Sequence, residues 1–80
     1  MILNVGEVYQ RGSSKREIVH LLAGGMAWRS IDTAQTKGFE VIWRTPAKGF
    51  YRAGKERAPT WCTTWMDWVS KAEKVVDAKV

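Results

Sequence analysis

Thr60-Trp-Cys-Thr-Thr-Trp-Met-Asp-Trp68 anchors the core of this chain, because it brings three of the five tryptophans together within eight residues. From Trp65 onward, apolar residues recur at positions 65, 68, 69, 72, 75 and 76, the i, i+3, i+4, i+7 spacing of an amphipathic helix. The pattern predicts a helix from about Trp65 to Ala78 whose tryptophan-rich start lies on a sheet. Trp61 precedes this helix and is either a hydrophobic staple that packs toward Trp68 or an exposed anchor.

Polar and charged residues favour the same helix. Thr64 is a suitable N-cap, and Asp67, three residues later, completes a shortened capping box near the positive end of the helix dipole. Basic residues follow toward the negative end, at Lys71, Lys74 and Lys79.

Alternating apolar and polar residues upstream predict short antiparallel strands. The strongest pattern runs from Phe39 to Thr45, where Phe39, Val41 and Trp43 share one face. Both faces of Arg16–Ala23 are largely apolar, which is typical of a central strand. Shorter strands are predicted at Val5–Tyr9 and Pro59–Thr63.

The segments between these strands are rich in turn formers. Arg11–Lys15 fits a hairpin loop, and Ala47–Ala58 is expected to be a loop or a long hairpin tip. Met26 to Lys37 is expected to be an irregular excursion that places Trp28 or Ile31 on the core.

Together these elements predict one α+β domain over residues 1–80. It consists of a small, twisted antiparallel sheet of three or four strands, SH3-like in its curl, packed by one C-terminal amphipathic helix. A chain of this length buries a limited core, and its aromatic residues supply much of it. The single cysteine, Cys62, excludes an internal disulfide and favours a reducing compartment.

The chain is expected to act in the cytoplasm, without a membrane partner. Its first residues, Met-Ile-Leu-Asn-Val-Gly-Glu, lack the basic and apolar regions of a signal peptide. No run of residues approaches the roughly 18 apolar positions of a membrane span.

Positive charge is concentrated in one stretch of the chain. The net charge is +5, and residues 41–60 contribute +4 of it, from five Lys or Arg against one Glu. The five cations flank two aromatic residues, and the predicted binding set is Arg44, Lys48, Phe50, Tyr51, Arg52, Lys55 and Arg57. Cations interleaved with exposed aromatics hold phosphates while bases stack, which favours DNA or RNA as the partner of this 44–57 loop.

Two further possibilities accompany this prediction. Arg11, Lys15 and Arg16 extend the basic surface if the fold brings the two turns together. Alternatively, the loop is only a solvated basic segment, with Phe50 and Tyr51 folded back as core plugs.

A protein-interaction module is the rival prediction. Trp28 and Trp61 are its candidate anchors, together with the loop aromatics, because tryptophan and tyrosine are favoured at interfaces. The partner is then a host or virion protein, or a second copy joined through an open strand edge. Periodicity assigns Trp43, Trp65 and Trp68 to the core instead, and the oligomeric state is not set by the sequence.

Catalysis is not expected. His20 lies in a predicted strand without nameable partners for acid–base chemistry, and Cys62 is interpreted as a small buried residue. One histidine and one cysteine cannot supply the roughly four ligands of a structural zinc site. The sequence therefore predicts no enzyme, no cofactor and no metal.

Short motifs along most of the chain resemble a group of small uncharacterised proteins of phages and prophages. They are Gly6-Glu-Val-Tyr9, Arg16-Glu-Ile-Val19, Val41-Ile-Trp-Arg44 and Cys62-Thr-Thr-Trp-Met-Asp-Trp68. The segment from Met26 to Gly38 departs from the compact version of the pattern. The resemblance carries no transferable activity; it implies a viral or prophage setting and the cytoplasm of a bacterial host.

Overall fold

Within residues 1–78, six strands form one antiparallel sheet and two others form a small ribbon. A computed structural model describes residues 1–78. Within them the elements are β1 (Ile2–Asn4), β2 (Val8–Arg11), β3 (Ser14–Ala23), β4 (Met26–Trp28), β5 (Ser30–Asp32), β6 (Glu40–Arg44), β7 (Thr60–Trp61), α1 (Cys62–Val69) and β8 (Glu73–Val76). The large sheet has the order β7-β6-β3-β2-β8, with β4 also paired to β3, while β1 pairs with β5.

The strand β3 is central, as its two apolar faces predict. Its first half pairs with β2, where Tyr9 lies opposite Arg16, and its second half pairs with β6, where Ile18 lies opposite Trp43. Gly12 turns the chain between β2 and β3 with a φ of +60°, a conformation that residues with a side chain rarely adopt. The predicted hairpin at this position is confirmed.

The core lies between the sheet and α1. Its buried residues are Leu3, Tyr9, Ile18, Leu21, Ile31, Phe39, Val41, Cys62, Trp65 and Val69. Trp65 is fully buried and meets the ring of Tyr9 edge-on, with centroids 6.3 Å apart and planes at 88°. Trp43 and Trp68 are partly buried against this cluster, so the predicted core roles of these three tryptophans are confirmed.

The predicted strand count was too low. Residues 1–78 contain eight strands rather than three or four. The segment expected to be irregular holds two of the additional strands, β4 and β5, and the others are β1 and β8. Gly24 and Gly25 both take positive φ and fold β4 back onto β3, while β5 finds a partner in the N-terminal β1. Of the two residues proposed to reach the core from this segment, Ile31 is buried and Trp28 is exposed.

The predicted helix was too long at its C-terminal end. The helix α1 ends at Val69, and the amide of Ala72 donates to the carbonyl of Val69 at 3.0 Å in a tighter final turn. The chain then forms β8, which pairs antiparallel with β2. The β-branched pair Val75-Val76 suits a strand, and the pairing satisfies backbone groups that β2 would otherwise leave open. Lys79 lies outside the described residues.

The predicted N-cap was also wrong. The helix begins at Cys62, and its N-cap is Trp61, which has extended dihedrals (φ −65°, ψ 150°) and makes no side-chain capping bond. Thr64 lies inside the helix, because β7 leads into α1 without an intervening loop. No helix in the described part of the chain is long and apolar enough to cross a membrane.

Candidate nucleic-acid interface

The segment between β6 and β7, residues 45–59, folds back on itself as an irregular hairpin that we call the basic arm. At its base, the amide of Arg57 donates to the carbonyl of Trp43 at 2.9 Å, and that of Gly54 donates to Thr45 at 2.8 Å. At its tip, Lys48 and Tyr51 exchange two backbone hydrogen bonds, of 3.1 and 2.8 Å. The predicted hairpin tip is therefore confirmed.

The tip of the basic arm presents two aromatic rings to solvent. Gly49 has a φ of +57°, whereas Phe50, like the other non-glycine residues within 1–78, has a negative φ. In a two-residue hairpin loop, a positive φ at the first central residue alone is typical of a type II′ turn. Phe50 is fully exposed and Tyr51 is 81% exposed. The alternative in which these rings fold back onto the core is therefore wrong.

Arg44 stands apart from the other predicted binding residues. Its Nε donates to Oε1 of Glu17 at 2.8 Å, and this hydrogen bond and the adjacent carboxylate charge raise the pKa of Arg44. Neighbouring residues of a strand point to opposite faces, so Arg44 lies on the other side of the sheet from Trp43. Its charge is already balanced by an internal partner.

The single acid of residues 41–60 is also engaged. Oε1 of Glu56 lies 3.3 Å from Nε2 of His20, and both side chains are about half exposed. The four other cations of the predicted set are exposed and form no ion pair with a described carboxylate; they are Lys48, Arg52, Lys55 and Arg57.

Arg16 lies at the base of the arm, over two indole rings. Its guanidinium carbon is 4.2 Å from the ring centroid of Trp43 and 4.1 Å from that of Trp68. The guanidinium carbon of Arg57 is 5.0 Å from the same Trp43 ring. We call these four residues the arginine–tryptophan stack. It combines β3, β6, the basic arm and α1 in one cation–π cluster.

A pocket of about 280 Å³ opens beside this stack, between the β2–β3 turn and the arm. Three cations line it, Lys15, Arg16 and Arg57, together with Trp43 and the hydroxyl-bearing Ser13, Ser14 and Thr45. The fold therefore brings Lys15 and Arg16 of the first turn next to the arm. This is the arrangement in which these two residues were expected to extend the basic surface.

A second pocket, of about 260 Å³, adjoins the first. The two share Ser13, Lys15 and Thr45, and the second continues to Lys48. Its remaining lining is apolar and comes from β2, β8 and the start of the arm. A continuous surface thus leads from the arginine–tryptophan stack toward the exposed rings of the tip.

The two candidate protein anchors do not form one patch. Trp28 is 46% exposed and donates its Nε1–H to the carbonyl of Ala23 at 2.9 Å. Trp61 is 52% exposed, and its ring lies so close over Gly38 that an added Cβ there would come within 3.0 Å of it. Trp28 is the register partner of Leu21 on β3. Trp61 is the partner of Glu40, which pairs in turn with Leu22, the next residue of β3. Because successive residues of a strand point to opposite faces, the two indoles lie on opposite faces of the sheet.

The sequence did not indicate the stacking of Arg16 or the burial of Glu7. Arg16 lies two residues before the buried Ile18, on the same face of β3. The alternation of the strand could therefore have indicated that Arg16 lies on the core face. Glu7 is only 1% exposed and accepts hydrogen bonds from the amide of Asn4 at 2.7 Å and the hydroxyl of Tyr9 at 3.1 Å. In the predicted strand Val5–Tyr9, Glu7 lies on the same face as Tyr9, and an acid on an apolar face could have indicated its burial.

The surface combines hydroxyl-bearing residues, exposed aromatic rings and cations that have no carboxylate partner within residues 1–78, all on adjoining elements. Comparison of the chain with protein-family models, curated proteins and solved structures found no match in any of the three.

Proposed function

We propose that this protein is a non-enzymatic module that binds single-stranded DNA or RNA through its basic arm. The observation that carries the proposal is the type II′ turn that holds Phe50 and Tyr51 in solvent between Lys48 and Arg52. A fully exposed phenylalanine gives the fold no burial energy. Stacking on a nucleic-acid base would contribute about 1–3 kcal/mol per ring.

The charges of the arm support the same partner. Lys48, Arg52, Lys55 and Arg57 have no carboxylate partner within residues 1–78, so each is available to a phosphate. Neutralising phosphates releases counterions, which makes such binding steeply dependent on salt. Arg44 was part of the predicted set, but its pairing with Glu17 gives it the smallest share in this proposal.

The setting of the module is part of the proposal. The resemblance of its short motifs to small phage and prophage proteins supports an accessory role in the cytoplasm of a bacterial host. The SH3-like comparison is also part of the proposal, and it rests on a small antiparallel sheet packed by one short helix.

A salt-titrated binding assay tests the proposal. Labelled single-stranded DNA, single-stranded RNA and duplex DNA are titrated with the protein at several salt concentrations. We expect single strands to bind more tightly, and the logarithm of the binding constant to fall linearly with that of salt. The triple reversal Arg52→Glu, Lys55→Glu, Arg57→Glu should abolish binding.

The control variant changes the net charge equally but elsewhere. Arg29, Lys37 and Lys71 are exposed and have no carboxylate partner among the described residues, so all three are reversed to Glu. Equal losses in the two triple variants would indicate a general charge effect. Absence of binding to any strand at low salt would remove the proposal.

A protein partner is the second candidate, favoured by the half-exposed indoles of Trp28 and Trp61. Trp61 borders a pocket of about 320 Å³ formed with Phe39, Leu22 and the Gly24-Gly25 turn. Capture of a defined host or virion protein that is lost with Trp28→Ala or Trp61→Ala, and unaffected by the arm variants, would favour this function. Self-association would appear as a concentration-dependent mass in sedimentation.

A further inference from the structure

We infer that the 280 Å³ pocket between the β2–β3 turn and the base of the arm is a phosphate-binding subsite whose principal donors are Arg16 and Arg57. This inference deepens the proposed function, and it rests on that function for the identity of the natural ligand, a phosphodiester of the bound strand. The subsite itself is a property of the pocket and can be tested with inorganic phosphate alone.

The guanidinium of Arg16 is held in place before any ligand arrives. Its carbon lies 4.2 and 4.1 Å from the centroids of the Trp43 and Trp68 rings. Stacking occupies the faces of a guanidinium and leaves its in-plane N–H donors available, in the planar fork that matches phosphate oxygens. Little side-chain entropy remains to be lost when an anion binds.

The pocket concentrates positive charge without a carboxylate. Lys15, Arg16 and Arg57 line it, and none of them pairs with an acid in the part of the chain that the structure describes. Burial, followed by the neighbouring charges of Arg11 and Arg57, lowers the pKa of Arg16. A bound anion would relieve this repulsion, whereas the internally paired Arg44 offers no comparable gain.

The remaining lining suits the oxygens of a phosphate. Ser13, Ser14 and Thr45 place hydroxyl-bearing residues around the cations. The adjoining pocket shares Ser13 and Thr45 and leads to Lys48 at the tip. A strand anchored by one phosphate beside Arg16 would therefore extend along the arm toward the exposed rings of Phe50 and Tyr51.

The experiment follows the arginine Nε–Hε signals by NMR while inorganic phosphate replaces chloride at constant ionic strength. We expect the Arg16 and Arg57 signals to shift together and to saturate, while that of Arg29, exposed and outside both pockets, stays in place. Arg57→Gln should weaken phosphate binding about tenfold or more, because a charged hydrogen-bonding partner is lost. Arg29→Gln should leave it unchanged.

A second substitution guards against loss of folding at the stack. Arg16→Lys keeps the charge but removes the planar fork, and it should weaken phosphate binding while Arg29→Lys does not. Shifts that are equal at Arg16, Arg57 and Arg29, or that never saturate, would overturn the subsite.

Failure of the subsite and failure of the proposed function give different results. Saturable phosphate shifts without any binding of oligonucleotides would retain the subsite and remove the nucleic-acid function. Oligonucleotide binding that depends on Phe50 and Tyr51, with no phosphate response at Arg16 and Arg57, would retain the function and refute the subsite.

Discussion

Nζ of Lys74 lies 3.2 Å from Oε2 of Glu7, a carboxylate that is only 1% exposed. This ion pair joins β8 to the turn before β2, and the carboxylate also accepts from the amide of Asn4 and the hydroxyl of Tyr9. Glu7→Ala should lower the free energy of unfolding by about 2–4 kcal/mol, because buried donors lose a charged acceptor. Urea unfolding measures the loss.

The matched control for this prediction is Glu73→Ala. Glu73 is an exposed acid of β8 with no ion pair among the described residues, so its removal should change stability by no more than about 0.5 kcal/mol. Similar effects of the two substitutions would contradict a structural role for the buried carboxylate.

Tyr9 should make the protein less stable in alkali. Burial, and then the charge and hydrogen bond of Glu7, raises the pKa of Tyr9 to about 12, above its ordinary value of 10.0. The folded state therefore keeps a proton that the unfolded chain releases, so stability is complete below pH 10 and falls as the pH rises toward 12. Denaturant midpoints measured across this window should decline less steeply in Tyr9→Phe than in Tyr51→Phe.

Two tryptophans four residues apart, Trp61 and Trp65, should differ sharply in their effect on stability. Trp65 is fully buried, and its replacement by Ala should cost about 3–5 kcal/mol through lost burial and a cavity. Trp61 is half exposed and caps α1 without a side-chain bond, so Trp61→Ala should cost much less. Thermal unfolding of both variants measures the difference; equal costs would place Trp61 in the core.

The fold was predictable where one residue pattern allows one structure. The alternation of large apolar residues at 39, 41 and 43 and the two apolar faces of residues 16–23 indicated β6 and β3 correctly. The apolar residues at 72, 75 and 76 fit a continued helix as well as a strand. The strand forms because it pairs with the open edge of β2. The two strands are more than sixty residues apart along the chain, so no local sequence pattern indicates that they pair.

The candidate site was predictable in composition but not in geometry. The charge excess and the exposed tip followed from local sequence. Alternation along β6 already separated Arg44 from Trp43, and an acid opposite Arg44 on β3 could have identified it as internally paired. The stacking of Arg16 depends on where α1 places Trp68, and only tertiary packing determines that position.

The exposed rings of the tip should matter for binding and not for folding. The double variant Phe50→Ala, Tyr51→Ala should retain its unfolding free energy to within about 0.5 kcal/mol, since both rings lie in solvent. Its affinity for a single-stranded oligonucleotide should fall by about 1–3 kcal/mol for each base that loses a stacking partner. Fluorescence anisotropy measures the affinity.

Met26→Ala provides the control for this last prediction, because Met26 is another large exposed residue but lies on β4, outside both arm pockets. An unchanged affinity in the Phe50, Tyr51 double variant would show that the tip does not contact the strand.

The pairing of β8 with β2 has a consequence for synthesis on the ribosome. Val8 and Val76 are register partners, so an early strand waits for one of the last described segments before its edge is covered. Until then Glu7 has no lysine partner, and a nascent chain exposes an unpaired strand that can join with another copy. The sheet can therefore be completed only after residues 73–76 have left the ribosome.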